Sequence, residues 1–180
     1  MISFRCCAFT AALSLTVGPA SAQEKKPSDL ITRERIHLNL AGAETILAAA
    51  KAKAEAMKLK VNIAVVDDGG HLLSFARMDG ARPASGNTAI TKATTAATFR
   101  QETGPLPPKG EPDILLNLSL QNAAAASGGK LTTLKGGVPI VVDGQIIGAV
   151  GVGGGTGEQD AEVAKAGIEK LLEAIGGKQK

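Results

Sequence analysis

Apolar residues recur at three- and four-residue steps through Leu40, Ala43, Leu47, Ala50, Ala54 and Met57. That spacing predicts a helix of about 18 residues with this stripe buried and Lys51, Lys53, Glu55 and Lys58 elsewhere around it. The period then changes. Residues 61–66 (VNIAVV) read as a strand, 67–70 (DDGG) as a turn, and 71–77 (HLLSFAR) as the returning strand of an antiparallel hairpin. Ser85 is a fair N-cap for a second helix, 86 to 99. Threonine is a mediocre helix former, so Thr88, Thr91, Thr94, Thr95 and Thr98 imply that packing or function outweighs propensity there. Prolines and glycines across 102–112 predict a loop, and 113–126 a third, shorter helix. A short strand is expected at 131–134. A second hairpin joins 138–142 to 145–152 around Asp143-Gly144. The last helix begins at Thr156, whose spacing to Gln159 is that of a capping box, and buries Ala161, Ala164, Ile168, Leu171 and Ile175.

Helices interleaved with hairpins predict an α+β fold, an antiparallel sheet with helices layered on it. The chain has 180 residues, room for one domain. Residues 1–22 carry Arg5, an apolar run too short to span a membrane, and a small-residue Ala20-Ser21-Ala22 end. They are expected to be a secretory signal peptide, followed by a polar linker (23–37) and the folded domain (38–176). Periplasmic or secreted localisation follows, with no membrane insertion. Both cysteines, Cys6 and Cys7, fall in the leader, so the expected domain has no disulfide, thiolate metal site or cysteine nucleophile.

Composition removes other classes. Hydrophobic residues at 44% and charged residues at 21% exclude a disordered chain. Trp and Tyr are absent and only Phe75 and Phe99 lie beyond the leader, which argues against a stacking platform for single-stranded nucleic acid. A net charge of +3 is too balanced for a protein that works by neutralising many phosphates. Glycines 151, 153, 154 and 155 precede a helix, yet they fit no dinucleotide fingerprint and no P-loop lysine follows. Glu158 and Asp160 in that helix's first turn complement its dipole and would repel phosphate. No nucleophile–base–orienter set is recognisable among Ser74, Ser85 and the two histidines.

Three segments together carry a specific resemblance: AVVDDGGHLLSFARMDGA (64–81), KATTAATF (92–99) and GGVPIVVDGQIIGAVGVGGGTGEQDAEVAKAG (136–167). Over residues 38–175 the chain resembles the haem-binding GlcG/HbpS family, to which the C-terminal module of PduO cobalamin adenosyltransferases is related. The resemblance implies a profilin-like fold, a central antiparallel sheet flanked by helices. It also implies a small homo-oligomer and haem as cofactor, with haem degradation reported for part of the family. Other members are known only as companions of glycolate or diol metabolism.

A haem site needs an apolar slot, an axial ligand and cations for the propionates. His37, just before the first helix, and His71, after the Gly-Gly turn, are the imidazoles on offer. Met57 belongs to a buried stripe, whereas Met78 can line a pocket. On the second helix, Thr91, Thr94, Thr95 and Thr98 lie along one side. Thr95 matches the family's KAxTAxxF motif and is the preferred oxygen ligand. The alternative is that these hydroxyls bond back to their own helix or pack on a neighbouring subunit. Arg77, Arg82, Lys92 and Arg100 are the propionate candidates. Three functions stay open: storage, buffering or sensing of haem; haem degradation in the same pocket; or binding of a small carboxylate such as glycolate by an accessory domain without haem.

Overall fold

A computed structural model describes residues 35–176. The expected signal peptide and all of the expected linker but Arg35, Ile36 and His37 lie outside the described residues. The elements run α1 (Leu40–Ala56), β1 (Asn62–Asp67), β2 (Leu72–Arg77), α2 (Ser85–Phe99), α3 (Ile114–Ala126), β3 (Gly137–Val142), β4 (Gln145–Gly153) and α4 (Gly157–Ala174). The strands form one antiparallel sheet in the order β2-β1-β4-β3. Helices α1 and α4 pack together on one face and α2 covers the other. This is the expected layered α+β arrangement.

Local chemistry explains most boundaries. The Asn39 side chain accepts the Gly42 N–H at 2.8 Å and starts α1. At its far end the Lys58 N–H bonds the Glu55 carbonyl and the Leu59 N–H reaches back to Ala54, both at 2.9 Å. That is a Schellman ending with Lys58, at φ 55, where glycine is usual. The Thr156 hydroxyl accepts the Gln159 N–H and the Gln159 side chain returns to the Thr156 N–H, so the capping box of α4 forms as expected. Asp143 and Gly144 both take positive φ, 48 and 75, the two-residue turn whose twist suits a hairpin.

Three expectations are corrected. Ser85 does not cap α2: Ala84 precedes the helix in helical geometry without a side-chain bond, and Ser85 is buried with its hydroxyl accepting from Arg82 Nε at 2.9 Å. Residues 131–134 are no strand. Their backbone is held by side chains instead, Thr132 N–H to the Thr95 hydroxyl at 3.0 Å and Leu134 N–H to the Thr132 hydroxyl at 3.1 Å. The buried face of α1 is Ala43, Ile46, Ala50 and Ala54, while Leu40 is 55% exposed and Leu47 and Met57 are half-buried. α4 selects this face: a Cβ on Gly167 would lie 2.7 Å from the Ile46 carbonyl, so the two helices cross almost in backbone contact. Ile175, expected in the α4 stripe, is likewise 52% exposed.

Helix α2 sits still closer to the sheet. A Cβ on Gly151 would collide with the Ala89 carbonyl, one on Gly137 with the Lys92 carbonyl, and one on Gly153 would lie 2.8 Å from the Ser85 carbonyl. At this distance Lys92 is buried, and its ammonium donates to Asp160 Oδ2 at 2.7 Å and to the Val152 carbonyl at 2.8 Å. Asp160 Oδ1 accepts the Gly155 N–H at 2.9 Å. One ion pair thus ties α2, β4, the glycine loop and α4. By contrast α3 packs on no other helix or strand to any extent, and Ile114 and Leu115 are each 75% exposed.

Removing either partner leaves an unpaired buried charge, which costs about 3–5 kcal/mol. Lys92→Met and Asp160→Asn should each lower the urea midpoint accordingly. The double variant Lys92→Met/Asp160→Leu should lose less than the sum of the two single changes.

Candidate functional site

The α2 threonines are almost wholly engaged. Thr91, Thr95 and Thr98 donate to the carbonyls four residues back, at 2.9, 2.8 and 2.7 Å. Thr94 instead donates to the Gly70 carbonyl at 3.1 Å and fastens the β1–β2 turn to the helix. Thr95, the preferred ligand from sequence, is buried, and its oxygen also accepts the Thr132 N–H. It therefore does not offer the open oxygen expected of it. Lys92, expected to serve a propionate, has its ammonium paired with Asp160. Arg100 is exposed beyond the helix end, at φ 58, and lines none of the clefts described below.

His71 belongs to the hairpin turn. Asp67 Oδ1 accepts the N–H groups of Gly69 and His71 at 2.9 and 2.8 Å, and the His71 ring Nδ1 lies 3.1 Å from Asp67 Oδ2. Partial burial alone would raise the Asp67 carboxyl, but the His71 N–H, ring and charge together with the Gly69 N–H outweigh it and hold it below its ordinary 3.8. The His71 side chain is otherwise 82% exposed, with no apolar wall around it.

Two clefts lie at opposite ends of α1. At its N-terminal end a cavity of about 310 Å³ opens between the first turns of α1, the β3–β4 hairpin and the end of α4. Its walls are Ile36, Leu38, Val142, Ile147, Leu171 and Ile175, and among the described residues no charged side chain lines it. Asn39 and Thr45 point their polar atoms at the α1 backbone. His37 is exposed at the rim, and no hydrogen bond to its ring is found among the described residues. Gly42 keeps the cleft open, because a Cβ there would lie 2.9 Å from Leu38 Cδ1 and 3.5 Å from Leu171 Cδ1.

At the C-terminal end of α1 a cavity of about 520 Å³ lies against β2 and contains both Arg77 and Met78. The structure thus brings these two predicted residues together, with Lys58 and Lys60, and keeps them apart from His37 and from α2.

Two buried polar residues escaped the reading of the sequence. Asp160 was assigned to the helix dipole; the signal missed is that it lies one turn into a helix whose first turn already holds Glu158. Asn62 interrupts the apolar run 61–66. It is fully buried, its amide donating to the carbonyls of Arg82 at 3.0 Å and Gly153 at 3.4 Å, and no partner of its Oδ1 is found. A lone amide in an apolar strand was its only signal.

Residues 38–169 match the family model described as "Haem degrading protein HbpS-like". Protein GlcG of Escherichia coli K12 is 46% identical over 120 residues, 67% of this chain and 84% of that protein. A crystal structure of a double mutant of Streptomyces reticuli HbpS superposes with a TM-score of 0.63 at 31% identity, covering 84% of this chain and 97% of that one. The crystal structure of a PduOC–haem complex shares the fold, with a TM-score of 0.60 at 24% identity over 75% and 95% of the two chains.

Because the Asp67 carboxyl is held low in the folded state, its contribution to stability is full above 3.8 and is lost as pH falls through the lowered value. Asp67→Asn should therefore cost up to about 1 kcal/mol at neutral pH, given its partial exposure. The gap in thermal midpoint between variant and parent should close on acidification below 3.8. A gap that persists at the lowest pH contradicts the assignment.

Proposed function

The chain belongs to the HbpS-like family, and from that premise we propose that it binds haem in the cleft at the N-terminal end of α1, with His37 as the iron ligand. One observation supports this reading: among the described residues His37 is the histidine that lines an apolar cleft. Imidazole nitrogen is a far better ligand for haem iron than a neutral hydroxyl, and the α2 hydroxyls are occupied. The family description and the haem bound in the PduOC structure support haem as the ligand class.

The cleft offers an apolar slot and an imidazole, and among the described residues no cation lines it. Leu38, Ile147 and Leu171 would receive one edge of the porphyrin, and the absence of charge in the walls favours that apolar edge over water. With a volume near the lower end for ligand pockets, the cleft would receive only part of the group. When bound, haem supplies redox and oxygen chemistry. His37 would hold the iron, and the apolar walls would exclude water from the part of the group they cover. Open lodging of this kind suits buffering, storage or sensing, with exchange of haem as the working step. The reading is of an exported protein, with 1–22 as its signal peptide, acting in the periplasm or the medium.

Assembly of identical subunits completes the reading, through α3. The helix carries no charge from Ile114 to Ala126, and Leu116 and Leu118 are 43% and 50% exposed besides Ile114 and Leu115. An uncharged apolar helix is best matched by the same helix of a second copy across a two-fold axis. Leu115→Glu/Leu118→Glu should reduce the mass measured by light scattering to that of the single chain; an unchanged mass contradicts this face.

Titration with hemin should give a saturable Soret band. His37→Ala should weaken it by about tenfold or more, and Gly42→Leu should block it by filling the cleft with the ligand intact. His71→Ala and Thr95→Ala should leave it unchanged. A featureless titration of the parent protein overturns the haem reading and favours the small-carboxylate alternative; a band that survives in His37→Ala overturns the site.

A further inference from the structure

The second cleft is organised for a different ligand. Its floor is Leu59, Ala76 and Met78, and its rim holds Lys51, Lys58, Lys60 and Arg77 against two carboxylates, Glu55 and Asp79. Among the described residues none of these four cations lies in an ion pair. Arg82, Arg100, Lys109 and Lys130 are also outside the ion pairs among the described residues, but they do not share one cleft with these four. Lys53, also in the last turns of α1, pairs with Glu162 at 2.7 Å, and Lys135, Lys165 and Lys170 each have a carboxylate within 3.1 Å. Nor does the end of α1 use up the cleft's charge, because the Ala54 and Glu55 carbonyls are already capped by backbone N–H groups.

Two backbone features hold the cations in place. Lys58 adopts a left-handed conformation, at φ 55, that glycine would take without strain. Gly80, at φ +78, lies under the Lys60 side chain. A Cβ there would come within 2.9 Å of both Lys60 Cδ and Nζ, so the glycine lets the ammonium lie across the turn.

We propose that this cleft binds a small organic dicarboxylate whose two anionic ends are joined by a short apolar spacer. The surplus of cations over carboxylates matches two negative charges. The planar guanidinium of Arg77 suits a carboxylate in two-point contact, the lysines serve as point charges for the other end, and the apolar floor takes the methylenes. The site is independent of the haem reading and shares no lining residue with the His37 cleft.

The test is a titration of the full chain with glutarate, followed in ¹H–¹⁵N spectra at constant ionic strength, with the neutral glutaramide as control. Saturable shifts are expected at Lys58, Lys60, Arg77 and Gly80, and none with glutaramide. Arg77→Gln/Lys60→Gln should abolish them. Lys58→Gly should weaken binding several-fold while raising the thermal midpoint, a combination that loss of folding cannot produce. Shifts spread evenly over the paired surface lysines, an equal response to glutaramide, or undiminished binding by Arg77→Gln/Lys60→Gln would overturn the proposal. Inorganic phosphate run in parallel should bind more weakly than glutarate; tighter binding would overturn the dicarboxylate assignment in favour of a phosphate site. Saturating hemin should leave the glutarate response intact, and displacement would overturn the separation of the two sites.

Discussion

The near-contact of the α2 backbone with the sheet is the constraint on which the rest depends. Glycines at 137, 151 and 153 leave no side chain between them, so the carbonyls of Ser85, Ala89 and Lys92 rest almost directly on β3 and β4. Such proximity draws the Lys92 ammonium through to Asp160 and the Val152 carbonyl and makes a buried ion pair the natural link to α4. It also engages the hydroxyls that α2 would otherwise offer a ligand. Its threonines turn to their own backbone, to Gly70 or to Thr132.

The opposite layer is built differently. There α1 crosses α4 over Gly167 and lies on the sheet through Ala43, Ile46, Ala50 and Ala54, which seals the middle of the helix and leaves both ends open. A helix of 17 residues is about 25 Å long, so the two openings have separate environments. One is uncharged and apolar with an imidazole at its lip; the other is rimmed by cations over a small apolar floor. That separation would let the two proposed ligands bind independently.

Elements with strong local signals were legible in the sequence. The Asp143-Gly144 turn, the Thr156–Gln159 capping box and the apolar strands are fixed by nearest neighbours, and the structure has them where the pattern puts them. The errors fall where tertiary contact decides. Leu47 and Ile46 are equally apolar, and only the crossing with α4 chooses Ile46. Residues 131–134 have strand-like composition, but α2 supplies side-chain partners in place of a neighbouring strand. For the site, sequence could propose Arg77 and Met78 together because they are adjacent, and the cleft does contain both. It could not see that Lys92 faces Asp160, since 68 residues separate them, nor that the walls around His37 include the β3–β4 hairpin and the end of α4.

The most direct test of the account is the paramagnetic broadening that ferric haem causes in the ¹H–¹⁵N spectrum of the full chain at substoichiometric loading. Signals of 36–45, Val142, Ile147 and 171–175 should fade first, with those of α2 and of Arg77–Met78 retained. Broadening centred on the Thr95 face of α2 or on the cationic cleft would contradict the account.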